Sequence, residues 1–108
     1  LKYRVAIEDC EKVCGYSLPI LRVVGGGTKD HQLMRYTANA IRRPVLAGPV
    51  EATAIGNMAA QLLALGDAKD RWEARKIVAA SFPVDRYDPE DAGIWEQAYK
   101  RFLKLCNR

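Results

Sequence analysis

Three consecutive glycines, Gly25-Gly26-Gly27, followed by Thr28, are the residues of this 108-residue sequence whose type and position could do chemistry. They follow a short run rich in branched residues, Leu18 to Val24, and precede an amphipathic pattern over residues 29–41. Glycine lets the backbone turn sharply and lets a ligand reach the main chain with no Cβ in the way. A helix starting just beyond offers unpaired N–H groups and a partial positive charge, the ingredients of a phosphate or nucleotide site. Two known fingerprints do not fit. In the dinucleotide pattern the third glycine position is Asp30, and the phosphate-loop pattern lacks its closing Gly-Lys-Ser/Thr. The residues alone leave two readings open, a nucleotide-binding turn and a purely structural βα turn.

Other reactive side chains are sparse. Cys10, Cys14 and Cys106 are odd in number and follow no zinc spacing, and the single histidine, His31, lies in another segment. The expectation is therefore no metal site, and buried, reduced thiols acting as small hydrophobes in a reducing cytoplasm. No two carboxylates have a spacing suited to acid–base work. Glu51 is expected in the first turn of a helix, where the helix dipole favours a negative charge. Seventeen Lys and Arg against thirteen Asp and Glu give a net charge of +4, with the excess confined to residues 1–50. No basic run exceeds Arg42-Arg43, so a solvated mixed-charge surface is expected, with nucleic-acid binding as a lesser reading.

These residues must be held by a small α/β framework. Apolar residues make up 49% and charged residues 28%, which excludes a disordered or collagen-like chain. Tyr3, Ala6, Ile7, Cys10, Val13 and Cys14 mark a helix over residues 2–14, closed by Gly15. A strand then runs into the glycines. A second helix over 29–41 is capped by Thr28 or Asp30 and ends before Pro44. Val45-Leu46-Ala47 forms a second strand, closed by Gly48-Pro49. Residues 51–65 hold ten apolar residues in fifteen and predict a buried core helix. A membrane span would need about 20 apolar residues and would not carry Asn57 and Gln61. Gly56 in this helix implies close packing against a neighbour. A shorter helix follows around Trp72, Ile77 and Val78, then a connection through residues 82–89. The last helix bears the stripe Trp95, Ala98, Tyr99, Phe102 and Cys106. The reading is five helices and two short strands. The chain opens on Leu1 with no signal-peptide pattern, and it is expected to be a piece of a longer protein.

Several segments together carry a resemblance. Val23-Val24-Gly25-Gly26-Gly27-Thr28, Thr37-Ala38-Asn39-Ala40, Arg43-Pro44-Val45 and Ala47 through Asn57 look like the C-terminal lobe of FGGY-family carbohydrate kinases. Gly48 to Asn57 most resembles the rhamnulokinase branch, with fuculokinases next. The tail with Tyr87, Trp95 and Tyr99-Lys100-Arg101-Phe102 resembles that branch too.

The resemblance implies the C-terminal part of an α/β lobe of the actin-, hexokinase- and heat-shock-ATPase-like (ribonuclease H-like) fold. It implies ATP with Mg2+ as phosphoryl donor, and a sugar substrate such as L-rhamnulose or L-fuculose. The remainder of the kinase chain is the expected partner, with neither nucleic acid nor membrane. Gly25, Gly26 and Gly27 are implied to lie along the nucleotide. Asp30 stands at a position that touches adenine in some members and is usually Asn. No catalytic residue is expected in the segment, and the segment alone is expected to be inactive. The alternative is a non-catalytic helical binding or assembly module whose glycine turn is only structural.

Overall fold

A computed structural model describes residues 1–108. The elements, in order, are α1 (Lys2–Cys14), β1 (Leu21–Val23), a 3-10 turn (Gly26–Lys29), α2 (His31–Ile41), β2 (Val45–Ala47), α3 (Ala52–Leu65), α4 (Arg71–Ser81), β3 (Asp85–Tyr87) and α5 (Ala92–Leu105). The strands form one sheet in the order β1-β2-β3. Leu21 N–H donates to Pro44 O and Gly48 N–H to Val23 O, the offset of a parallel pair joined by a helical crossover. The chain divides into two compact units. One holds Leu1–Leu21, Asp30–Leu46 and Arg86–Arg108. The other holds Arg22–Lys29 and Ala47–Asp85. The strand count corrects the expectation of two. Asp85-Arg86-Tyr87 lies between Pro83 and Pro89 with only Tyr87 half-buried, too short and too polar to show alternation.

In the first unit the core is Met34, Ala38, Ala40, Ile41, Val45 and Tyr99. α2 supplies most of it because its apolar side is a regular 3.6-residue stripe. The helix stops where Arg42 takes a left-handed φ of 57°, two residues before Pro44. α5 presents Tyr99, 4% exposed, with Trp95 against Tyr36 at a centroid distance of 5.5 Å.

α1 reverses its expected orientation. Gly15 closes it at φ 76°, but of the expected stripe only Ile7 is half-buried, while Tyr3, Ala6, Cys10, Val13 and Cys14 are exposed. The inward side is charged instead. Arg4 Nε donates to Glu8 Oε1 at 2.9 Å and its Nη1 to Glu96 Oε2 at 2.8 Å, while the guanidinium sits 3.9 Å above the Tyr99 ring. Tyr99 Oη donates to Glu8 Oε2 at 2.6 Å. Paired charges that share hydrogen bonds and a ring face can be half-buried where a lone one could not. The three thiols are free and exposed, which corrects the expectation of buried ones.

This network gives the unit an acid-labile edge. Hydrogen bonds from Arg108 and Lys12 hold Asp9 down to about 2. Those from Arg4 lower Glu96, and the Leu18 N–H lowers Glu11. Burial raises Glu8, but the hydrogen bonds from Tyr99 and Arg4 outweigh it and the net shift is downward. Carboxylates depressed in the folded state stabilise it above their ordinary values of 4.5 for Glu and 3.8 for Asp, and that stability is lost as pH falls through the folded values. Burial and Glu8 push Tyr99 up to about 12, so its contribution is full below 10.0 and lost as pH rises toward 12. The urea midpoint is therefore expected to fall below about pH 4.5 and to fall again as pH rises from 10 toward 12. A midpoint unchanged down to pH 2 would contradict this network.

In the second unit the buried residues are Thr28, Ala47, Ile55, Ala68 and Ala74. α4 is capped by Asp70, whose Oδ1 accepts from Trp72 and Glu73 N–H at 3.0 and 2.9 Å. α3 packs on α4 yet is not the buried core helix its composition predicts. Only Ile55 is buried, while Met58 is 54% and Leu65 76% exposed. A helix apolar nearly all round needs neighbours on every side, and within its unit α4 is the one helix that packs extensively on α3. A Cβ placed on Gly56 would meet nothing within 4 Å, so the close neighbour expected there is absent from the chain. Glu51 stands one position earlier than expected, at the N-cap of α3, exposed and without a capping bond.

Candidate functional site

The glycine turn sits where β1 ends. Gly25 has φ 92°, a left-handed conformation that only glycine adopts freely, and its N–H donates to Pro49 O at 3.2 Å. That bond ties the turn to the segment after β2. Thr28 closes the turn from within. Its N–H and its hydroxyl both donate to Gly25 O, at 3.1 and 2.7 Å, and its side chain is buried.

Gly26 and Gly27 are exposed, and neither N–H donates within the chain. A Cβ on Gly25, Gly26 or Gly27 would meet nothing within 4 Å. The turn thus presents unhindered main chain and two free donors, the arrangement that suits an anionic or polar ligand lying flat on the backbone.

Asp30 lies in the other unit, at the N-cap of α2. Its Oδ1 accepts from Leu33 N–H at 3.0 Å, and Oδ2 has no partner in the chain. Of the two cap candidates read from the sequence, Asp30 caps the helix and Thr28 closes the turn. Beside it, His31 Nδ1 lies 2.5 Å from Tyr87 Oη. Sequence reasoning gave no sign of this pair, since Tyr87 is brought there by the unforeseen strand β3.

The Thr37-Ala38-Asn39-Ala40 segment is buried scaffold. Thr37 Oγ1 donates to Leu33 O at 2.7 Å, and Asn39 Oδ1 accepts from Glu90 N–H at 2.8 Å. Arg43 Nη2 reaches Glu11 Oε2 at 3.0 Å, and the other Glu11 oxygen accepts from Leu18 N–H at 2.6 Å. The two Glu11 contacts hold the chain just ahead of β1 and of β2. No three His, Cys, Asp or Glu side chains come together as a metal-binding group. No helix is long and apolar enough to cross a membrane.

A family model described as the FGGY family of carbohydrate kinases, C-terminal domain, matches residues 1–65. The chain is 41% identical to a rhamnulokinase of Bacteroides thetaiotaomicron over 108 residues, covering 100% of this chain and 22% of that protein. It is 37% identical to a rhamnulokinase of Bacillus subtilis over 89 residues, 82% of this chain and 18% of that one. A rhamnulokinase of Ligilactobacillus salivarius is 32% identical over 108 residues, again 100% of this chain and 22% of the relative. The chain thus spans about a fifth of the length of these curated relatives.

Proposed function

The chain belongs to the FGGY family of carbohydrate kinases, and on that premise we propose that it is the C-terminal part of the nucleotide-binding lobe of an ATP-dependent sugar kinase. The lobe would have the ribonuclease H-like ATPase fold and work in the cytoplasm. The parent enzyme transfers the γ-phosphoryl group of ATP to a sugar hydroxyl. Relatives named rhamnulokinase favour a deoxyketose such as L-rhamnulose, with L-fuculose next.

The observation that carries this reading is the glycine turn, with its open face and two N–H groups lacking partners. Gly25, Gly26 and Gly27 would lie along the nucleotide, with Gly26 and Gly27 donating to it. Asp30 would accept from the adenine amino group through Oδ2 while Oδ1 keeps the helix capped. Mg2+ would arrive on the ATP phosphates as part of the substrate. Phosphoryl transfer rests on positioning and electrostatic stabilisation by several elements at once. This chain would supply one wall of the nucleotide site. The general base and the sugar contacts would belong to the remainder of the kinase.

The test is consumption of ATP by the full-length protein with L-rhamnulose or L-fuculose. No turnover across a panel of ketoses and polyols would contradict the reading, and so would turnover by the 108 residues alone. Asp30 gives a finer check. Asn and Asp cap helices equally well, whereas Ala forfeits about 1 kcal/mol. Asp30→Asn is therefore expected to keep the urea midpoint and to lower the KM for ATP, because an amide can both accept from and donate to adenine. Asp30→Ala is expected to lower the midpoint and raise that KM. A KM for ATP indifferent to both changes would remove Asp30 from the site.

A further inference from the structure

The second unit carries an open groove of about 780 Å³ between α3 and α4. Ala52, Gly56 and Ala60 line it at intervals of four along α3, a row of small residues that forms a furrow on a helix surface. Such a furrow accepts the ridge of another helix at an axial separation of about 8–10 Å. The opposite wall bears Arg71 and Arg75, one turn apart on α4, and Arg22 of β1 also lines the groove. Both α4 guanidinium groups rest near the Trp72 ring, at 4.9 and 5.0 Å.

None of the three arginines forms an ion pair in the chain, and no acidic side chain lines the groove. The surface is therefore apolar at its floor and wholly cationic at its edge. Its complement is apolar with a carboxylate edge, since a guanidinium fork matches a carboxylate in shape and charge. Carboxylates four residues apart on a helix repeat at the spacing of Arg71 and Arg75.

We infer that the groove seats an acidic amphipathic helix from the remainder of the kinase polypeptide. Its apolar ridge lies over Ala52, Gly56 and Ala60, with two carboxylates one turn apart on Arg71 and Arg75. This rests on the kinase reading for the source of the helix. Relatives of which the chain covers 22% and 18% have ample further length to supply it. A second copy of the chain fits poorly. Its helical acids are already engaged, Glu8, Asp9, Glu11 and Glu96 with arginines and Glu73 with the Lys69 N–H.

The test uses the full-length protein carrying Arg71→Lys and Arg75→Lys, treated with a carbodiimide that joins an ammonium to a carboxylate in salt-bridge contact. Peptide mapping is expected to find both introduced amines joined to Asp or Glu of the same polypeptide outside residues 1–108. Cross-links only within those residues, to a second polypeptide, or none at all would overturn the inference. Gly56→Ala supplies an independent sign. Within residues 1–108 the methyl meets open space and a better helix former replaces glycine, so with no seated helix the substitution would raise the urea midpoint of the full-length protein. With the helix seated the same methyl intrudes on it, and the midpoint of the full-length protein is expected to fall. An unchanged or raised midpoint would overturn the inference. Turnover is read separately: cross-links without sugar phosphorylation would sink the kinase reading and leave the groove assignment standing, and phosphorylation without cross-links would do the reverse.

Discussion

Gly48→Ala is expected to destabilise the chain by about 3 kcal/mol, the sum of backbone strain and overpacking against a rigid neighbour. Gly48 has φ 125°, a conformation that L residues rarely adopt. A Cβ there would lie 2.9 Å from the Pro83 carbonyl oxygen and 3.5 Å from Val84 Cα. Both obstacles are main chain, so no rotamer change relieves them. Relief by moving residues 48 and 49 would disturb Pro49 O, which holds the Gly25 N–H, and so would loosen the glycine turn as well. Gly66→Ala is the matched control. Gly66 also has positive φ, at 80°, but its Cβ would meet nothing within 4 Å. Its loss is strain alone, roughly 1–2 kcal/mol. Urea unfolding of the two variants decides the matter. A Gly48 variant no less stable than the Gly66 variant would show that the contact with Pro83 is not a constraint.

The second large effect is functional and comes from a residue the fold does not need as glycine. Gly26→Val in the full-length protein is expected to raise the KM for ATP at least about tenfold, equivalent to about 1.4 kcal/mol of lost binding, and to leave the KM for sugar unchanged. Gly26 does not have positive φ, and its Cβ would meet nothing within 4 Å. A side chain can therefore be added without strain in the chain itself. Whatever it obstructs must come from outside, which makes Gly26 a cleaner probe of ligand approach than Gly25 with its φ of 92°. An unchanged urea midpoint confirms that the fold is intact, and steady-state kinetics with ATP and sugar varied in turn reads the split. An unchanged KM for ATP, or equal rises in both, would remove the glycine turn from the nucleotide site.

Much of the scaffold was legible in the sequence because local signals agreed there. Gly15 and Gly66 end α1 and α3 in left-handed caps, Asp30 begins α2, and Val45-Leu46-Ala47 is a strand of β-formers and small residues fixed between Pro44 and Gly48. What was not legible depended on tertiary partners. β3 exists because Asp85 to Tyr87 pairs into a sheet, although Asp-Arg-Tyr carries almost no β signal of its own. α1 shows a regular apolar stripe, but the Arg4–Glu8–Glu96–Tyr99 network turns the other side inward. Periodicity reveals that a helix has two faces and not which one its neighbours will satisfy. The same limit governs α3, whose composition demands cover on all sides while the chain covers the Ile55 side. For the candidate site, the glycine run was plain in the sequence. Its rigidity was not, because it comes from Thr28 folding back on Gly25 and from Pro49 across a separation of 24 residues.

The glycine turn as one wall of a kinase nucleotide site is tested most directly by titrating MgATP into isotopically labelled full-length protein and following backbone amides. The account predicts saturable shifts at Gly25, Gly26, Gly27 and Asp30, largest at the free N–H groups of Gly26 and Gly27. Unmoved signals across these residues at ATP concentrations that sustain sugar phosphorylation would contradict it.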